Sequence, residues 1–144
     1  MSTIKNFLEL KEKKDIWTLR QFNTVREALI LMAEKNIGAV IIVDHDQYLI
    51  GIFSERDYAR RIILEGKKSD DTKLYEVMTK DLITISQSHK IEQCMQIMTY
   101  NKIRHLPILE KNKLIGIISI GDVVKILLRE QKILIDDLQN FIKN

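Results

Sequence analysis

With 144 residues, 45% of them apolar and 30% charged, the chain suits one domain of ordinary size or two halves sharing a core, and its single Pro and five Gly exclude a disordered or fibrous design. The net charge of +3 comes from bases interspersed among acids, which excludes a strong long-range field for nucleic acid or anionic lipid. One cysteine, Cys94, excludes an internal disulfide; without Cys/His partners at zinc spacing it reads as a free buried thiol in a reducing cytoplasm.

The first 14 residues are thick with charge and hold no apolar stretch like a signal-peptide core, so they are expected to carry an N-terminal helix and no export signal. A short extended piece follows at Trp17-Thr18-Leu19. Val25, Ala28, Leu29 and Met32 then fall at i, i+3, i+4 and i+7, the apolar face of a helix that Thr24 and Glu27 open as a capping box. Two apolar runs, Gly38 to Val43 and Tyr48 to Phe53, read as a strand pair across a polar turn. Within them Ala39 to Val43 is the most continuous apolar run, far short of the roughly 20 residues that cross a bilayer. A second helix is expected from about Glu55 to Leu64, with Gly66 as its stop, and 66–71 has the composition of a linker.

The order then starts again. Ile83-Thr84-Ile85 is extended, Ile91, Cys94, Met95 and Met98 mark a helix, Leu106 to Leu109 and Leu114 to Ile118 are strands, and a last helix runs from about Gly121 towards Asn144. Slid against itself, the chain matches at an offset of 66 residues that becomes 65 partway, the mark of a duplication with one deletion. Thr18 meets Thr84, Val25 meets Ile91, Met32 meets Met98 and Ile37 meets Ile103. Past the change Gly51 meets Gly116, Ser54 meets Ser119 and Asp57 meets Asp122. The missing residue falls in the turn between the paired strands, where an indel costs little. Met32, Met95 and Met98, at helical spacing, read as core filler.

The expected fold is therefore α/β of the α+β type: two β-α-β-β-α repeats, 1–66 with the N-terminal helix and 67–128, then a helical extension at 129–144. A repeat of about 60 residues is marginal alone, so the two are expected to pack face to face about a pseudo-two-fold axis that leaves two related clefts.

The segment with the most chemistry is Gly51-Ile52-Phe53-Ser54-Glu55-Arg56-Asp57, echoed as Gly116-Ile117-Ile118-Ser119-Ile120-Gly121-Asp122. In each, a strand ends at Ser and a helix begins, so free backbone N–H groups and the positive helix end suit an anion such as a nucleotide phosphate. Two readings stay open. Ser-x-x-Asp is also a helix N-cap with an acid in the first turn, and capping alone explains both residues. It does not explain the preceding Gly, the apolar pair, or a duplicated Asp able to take both hydroxyls of a ribose through charge-assisted hydrogen bonds of roughly 1.5–3 kcal/mol each. Arg56 also reads as a solvated first-turn base, His105 as a satisfied interior imidazole and Pro107 as an edge-strand stop.

Two copies of Gly-apolar-apolar-Ser-x-x-Asp, each following a strand pair and opening a helix, resemble the cystathionine β-synthase (CBS) domain, and the tandem resembles a Bateman module. The likeness covers about residues 8 to 128; Ser54-Glu55-Arg56-Asp57, Ile103-Arg104-His105-Leu106-Pro107 and Ser119-Ile120-Gly121-Asp122 are close to the family's wording. The resemblance implies adenosine-bearing ligands, most often AMP, ADP or ATP and sometimes NAD(H) or S-adenosylmethionine, held in clefts between repeats, and it supplies no catalytic residue. By family position Asp57 and Asp122 hold ribose hydroxyls, and Ser54 and Ser119 reach phosphate or ribose. Adenine sits at Ile37, Gly38 and Ala39 in one cleft, and at Ile103, Arg104, His105, Leu106 and Pro107 in the other. Thr18 and Thr84 are further candidates for base or phosphate contacts.

Copy one has Arg56 where copy two has Gly121, and copy two has Arg104-His105 where copy one has Gly38-Ala39. The expectation is that Arg56, Arg104 and His105 converge on the cleft built on Asp57 and make it the tighter phosphate site. The function expected is a non-catalytic adenine-nucleotide sensor with no required cofactor, a homodimer, acting in the cytoplasm on an unidentified regulated protein. The alternative is a ligand-free interaction module that works through the C-terminal helix, with Ile126, Leu127, Leu134, Leu138, Phe141 and Ile142 as its apolar surface. There is no nucleophile elbow, Walker loop, metal-ligand spacing or dinucleotide glycine fingerprint. Neither a nucleic-acid nor a membrane partner is expected.

Overall fold

The structure, a computed structural model, describes residues 2–11 and 16–143; residues 1, 12–15 and 144, which belong to the expected first and last segments, lie outside the described residues. The chain order is α1 (Ile4–Leu10), β1 (Thr18–Leu19), α2 (Val25–Lys35), β2 (Ala39–Val43), β3 (Leu49–Ser54), α3 (Glu55–Asp57) running into a π-helical segment (Tyr58–Ile63), α4 (Leu74–Val77), α5 (Ile91–Asn101), β4 (His105–Glu110), β5 (Lys113–Ser119) and α6 (Ile120–Lys143). The fold is the expected mixture of small sheets and helices, in two compact units. One comprises the described parts of 1–14, 84–110 and 115–144; the other comprises 15–83 with 111–114.

In the unit of copy one, Thr24 and Glu27 close the capping box that starts α2: Glu27 N–H donates to Thr24 Oγ1 at 3.1 Å, and the carboxylate accepts from Thr24 N–H at 3.3 Å. The helix stops at Asn36, whose φ of 55° is the left-handed cap that asparagine tolerates. β2 is buried along its whole length, parallel to β1 on one side and antiparallel to β3 on the other. That double burial is why it reads as a run with no polar alternation. The second helix is only one α-helical turn before it widens, with Leu64 N–H reaching back five residues to Ala59 C=O at 3.1 Å. Gly66 at φ 70° then turns the chain away.

The unit of copy two has the same core at the same offsets. Val25, Ala28, Met32, Val40, Ile42 and Phe53 are buried in one, and Ile91, Cys94, Met98, Leu106, Ile108 and Ile118 in the other. Met95 departs from expectation: at 41% exposure it faces out while Cys94 and Met98 face in. Its first strand departs too, shrinking to one parallel bridge, Ile85 with Ile108. Pro107 stands where copy one has Ile41, and with no N–H to donate it cuts the ladder that copy one continues over Thr18 and Leu19. Pro107 is thus a buried third residue of β4, its carbonyl accepting from Ile85 N–H at 3.0 Å, and it stops the ladder on that edge from within the strand and not at its start.

The units follow packing and not chain order. The N-terminal helix, grouped with copy one from sequence, buries Ile4 in the core of copy two, and its Ile4 N–H donates to His89 C=O at 2.8 Å. Likewise Leu74, Val77 and Met78, grouped with copy two from sequence, fill the core of copy one. The seams match: Val25 N–H donates to Thr72 C=O at 2.9 Å and its counterpart Ile91 N–H to Ser2 C=O at 3.1 Å. Each repeat is closed by the segment that precedes the other, which supplies apolar surface a unit of this size lacks.

Candidate functional site

The site is built around the strand-to-helix corners. At corner one, Ser54 ends β3 in an extended conformation, and its hydroxyl accepts from Asp57 N–H at 3.2 Å. Asp57 Oδ2 answers by accepting from Ser54 N–H and Ser54 Oγ, both at 3.0 Å. Corner two repeats this: Asp122 N–H to Ser119 Oγ at 3.1 Å, and Asp122 Oδ2 accepting from Ser119 N–H at 2.9 Å and Ser119 Oγ at 3.0 Å. Both corners are therefore reciprocal caps. The first amide of each helix is also engaged, Glu55 N–H with Gly38 C=O at 3.1 Å and Ile120 N–H with Arg104 C=O at 2.8 Å. Of the free N–H groups expected at each helix start, the first and third already have protein partners, so an anion meets fewer donors than the sequence suggests.

The preceding glycines have a packing cause. A Cβ at Gly51 would lie 2.5 Å from Met78 Sδ, and one at Gly116 would lie 2.8 Å from Leu8 Cδ2. Each glycine lets the neighbouring repeat's leading segment cross its strand closely, and no ligand is needed to explain it.

Register brings part of the expected set together. Ala39 pairs with Ser54, and the Glu55–Gly38 bond places Gly38 at the start of α3, so Gly38, Ala39, Ser54 and Asp57 surround corner one. The Ile120–Arg104 bond does the same for Arg104, Ser119 and Asp122 at corner two. A depression of about 340 Å³ beside corner one is lined by Leu29, Met32, Ala33, Asn36, Ile37, Gly38 and Glu55. Thr18 is farther off, on β1 opposite Ile41, two register positions from Ala39. Thr84, half-buried, directly precedes the Ile85 bridge. Ile103 is half-buried before β4, whereas Leu106 and Pro107 are buried inside it. Arg56 belongs to one unit and Arg104 and His105 to the other; Arg56 and His105 are each engaged by neighbouring groups.

Sequence reasoning missed three residues here. Thr79 Oγ1 lies 3.5 Å from Asp57 Oδ1, Arg61 Nε lies 3.9 Å from the same oxygen, and Glu55 lines the depression. Arg61, four residues past Asp57, carried a helical-spacing signal. Thr79 carried none, since it reaches the corner only because it pairs with Ile52, their amides and carbonyls exchanging bonds of 3.0 and 2.9 Å. Among the described residues no group of His, Cys, Asp and Glu is arranged to hold a metal, and no helix is long and apolar enough to cross a membrane. Burial pushes the Cys94 thiol up to about 11.

Comparison with known proteins agrees with this architecture. The profile of the CBS domain family matches residues 9–64 and 74–129. The mitochondrial CBS domain-containing protein CBSX3 of Arabidopsis thaliana is 41% identical over 114 residues, which cover 76% of this chain and 55% of that protein. This chain spans between about a third and three-fifths of the length of that and two further curated relatives. Among solved structures, a protein with CBS domains from Burkholderia ambifaria MC40-6 superposes with a TM-score of 0.86 at 41% identity, over 90% of this chain and 96% of that one. The CBS domain pair of protein MJ0100, solved with 5′-methylthioadenosine and S-adenosylmethionine, shares the fold with a TM-score of 0.79 at 22% identity, over 90% and 98% of the two chains. With two matched domains, a duplicated core and a capped Ser-x-x-Asp corner in each copy, the chain belongs to the CBS domain family as a tandem pair, a Bateman module.

Proposed function

We propose that this regulatory module is non-catalytic and takes an adenosine-containing ligand, AMP, ADP or ATP before NAD(H) or S-adenosylmethionine, at its Ser-x-x-Asp corners. The observation that carries the reading is the state of the aspartates. In each, one oxygen is consumed by the cap while the carboxylate is held beside the turn before a strand, at Gly38 and at Arg104. In Asp122 both cap bonds go to Oδ2, and the lone pairs of Oδ1 suit a sugar hydroxyl. The half-buried apolar atoms of Ile37 and the Gly38 backbone suit the face and edge of a purine. The ligands of MJ0100, a pair of the same fold, support an adenosine core. The buried thiol fits a cytoplasmic setting.

A thermal-shift panel of AMP, ADP, ATP, NAD⁺, NADH and S-adenosylmethionine tests this. A ligand that binds only the folded chain stabilises it by about 2.7 kcal/mol at a hundredfold excess over Kd. No shift with any of the six at millimolar concentration leaves the reading without support.

A second reading, compatible with the first, is association through α6. Leu128, Leu134, Leu138, Phe141 and Ile142 are all more than half exposed on this helix, and Phe141 reaches 81%. Such a stripe suits a second copy of the chain or a regulated protein. Light scattering of the intact chain against Leu134→Glu distinguishes an oligomer held by this face from a monomer.

A further inference from the structure

Asp57 has one oxygen to spare for a ligand, and that oxygen is not alone. Oδ2 is occupied by the cap; Oδ1 faces Thr79 Oγ1 at 3.5 Å and Arg61 Nε at 3.9 Å, in a side chain only 16% exposed. Arg61 spans from there to α4, its Nη1 donating to Val77 C=O at 2.7 Å. Val77 ends α4, and Thr79 lies two residues on, in the stretch that leads to the second copy. One guanidinium thus touches both the corner carboxylate and the end of the leading segment, and one hydroxyl from that segment reaches the same carboxylate.

Corner two has no such tie on its own helix. Four residues beyond Asp122 stands Ile126, with no charge to offer a carboxylate, and the residue at the offset of Thr79, Lys13, lies outside the described residues.

We infer that Arg61 and Thr79 are positioning residues that orient the Asp57 carboxylate and link it to segment 77–79, so that occupancy of corner one is transmitted to the chain leading into the second copy. The inference rests on the reading of Asp57 as a ligand-binding group and assigns that site its regulation. A ribose hydroxyl donated to Oδ1 either shares the oxygen with Thr79 or displaces it. A displaced Thr79 loosens its pairing with Ile52, and Arg61 carries the same change to Val77.

Hydrogen exchange on the intact chain, with and without AMP, tests the link. Without ligand, Arg61→Gln and Asp57→Asn speed exchange at the Met78 and Thr79 amides roughly tenfold, Arg61→Lys restores part of the protection, and Asp122→Asn leaves these two amides as they were. With AMP, the same amides respond in the unaltered chain and fail to respond in Arg61→Gln. Calorimetry should find AMP binding at corner one weakened roughly tenfold by Arg61→Gln, with little further loss when Arg61→Gln is added to Asp57→Asn. Unchanged exchange in both ligand-free variants overturns the link, as does a full AMP response in Arg61→Gln. If the ligand-free effects appear but neither AMP nor 5′-methylthioadenosine binds the unaltered chain, the nucleotide reading falls and the tie between Asp57 and segment 77–79 stands.

Discussion

Corner one and corner two close the same cap, with Ser–Asp bonds of 3.0–3.2 Å at Ser54–Asp57 and 2.9–3.1 Å at Ser119–Asp122. Outside the cap they part. Asp57 is enclosed by Thr79 and Arg61, while Asp122 is followed on its helix by Ile126 and Leu127, which pack against the core. The helix that begins at corner one widens within a turn and stops at Gly66; the one that begins at corner two runs 24 residues. The difference teaches that duplication preserved what four consecutive residues can build and left free what the rest of the unit adds. Arg61 and Thr79 are an asymmetry separate from the one expected of Arg56, Arg104 and His105.

The largest test of the comparison is in the two cores. Phe53 and its counterpart Ile118 are both fully buried, so Phe53→Ala should lose about 3–5 kcal/mol and Ile118→Ala about 2–5 kcal/mol in urea unfolding. A loss confined to one of them would show that the units do not share the load. Next is Cys94, which fills the place of Ala28: a thiol pushed up to about 11 holds roughly a hundredfold less thiolate at pH 8 than an ordinary one. Iodoacetamide should therefore label the folded chain far more slowly than the unfolded chain, and equal rates would place the thiol outside the core.

The glycines sharpen the contrast. Gly51→Ala must push aside three atoms of Met78, the Cβ among them, and should cost about 1–3 kcal/mol. Gly116→Ala meets mainly the mobile end of Leu8 and should cost about 1 kcal/mol or less. A reversed order in thermal unfolding would sink the account of why each glycine is there. Smallest and most even are the caps: Ser54→Ala and Ser119→Ala should each lose about 0.5–2 kcal/mol, and by similar amounts, because the bonds they break are alike.

Much of the fold could be read along the chain because its causes are local. The apolar spacing in α2 and α5, the Thr24–Glu27 box and the two Ser-x-x-Asp caps all involve groups three or four residues apart, and the doubling of each signal identified the repeat. Periodicity failed at Met95, where a stripe one residue too wide for the buried face put an apolar side chain outside. It was silent on the short first strand of copy two, where Pro107 withholds a donor from a neighbour far off in sequence.

By itself, then, the amino-acid order determined the duplication, the element types, the caps and the location of the corners, since these arise from backbone geometry and side chains within one helical turn or one strand. Only the tertiary structure decided which leading segment closes which repeat, why Gly51 and Gly116 have no side chain, and what stands around the second oxygen of Asp57. Those depend on groups that chain folding carries together, such as Thr79, 22 residues from Asp57, or Glu130, 128 residues from Ser2. No local pattern encodes such a meeting, because it comes from burying apolar surface that neither repeat can cover with its own residues.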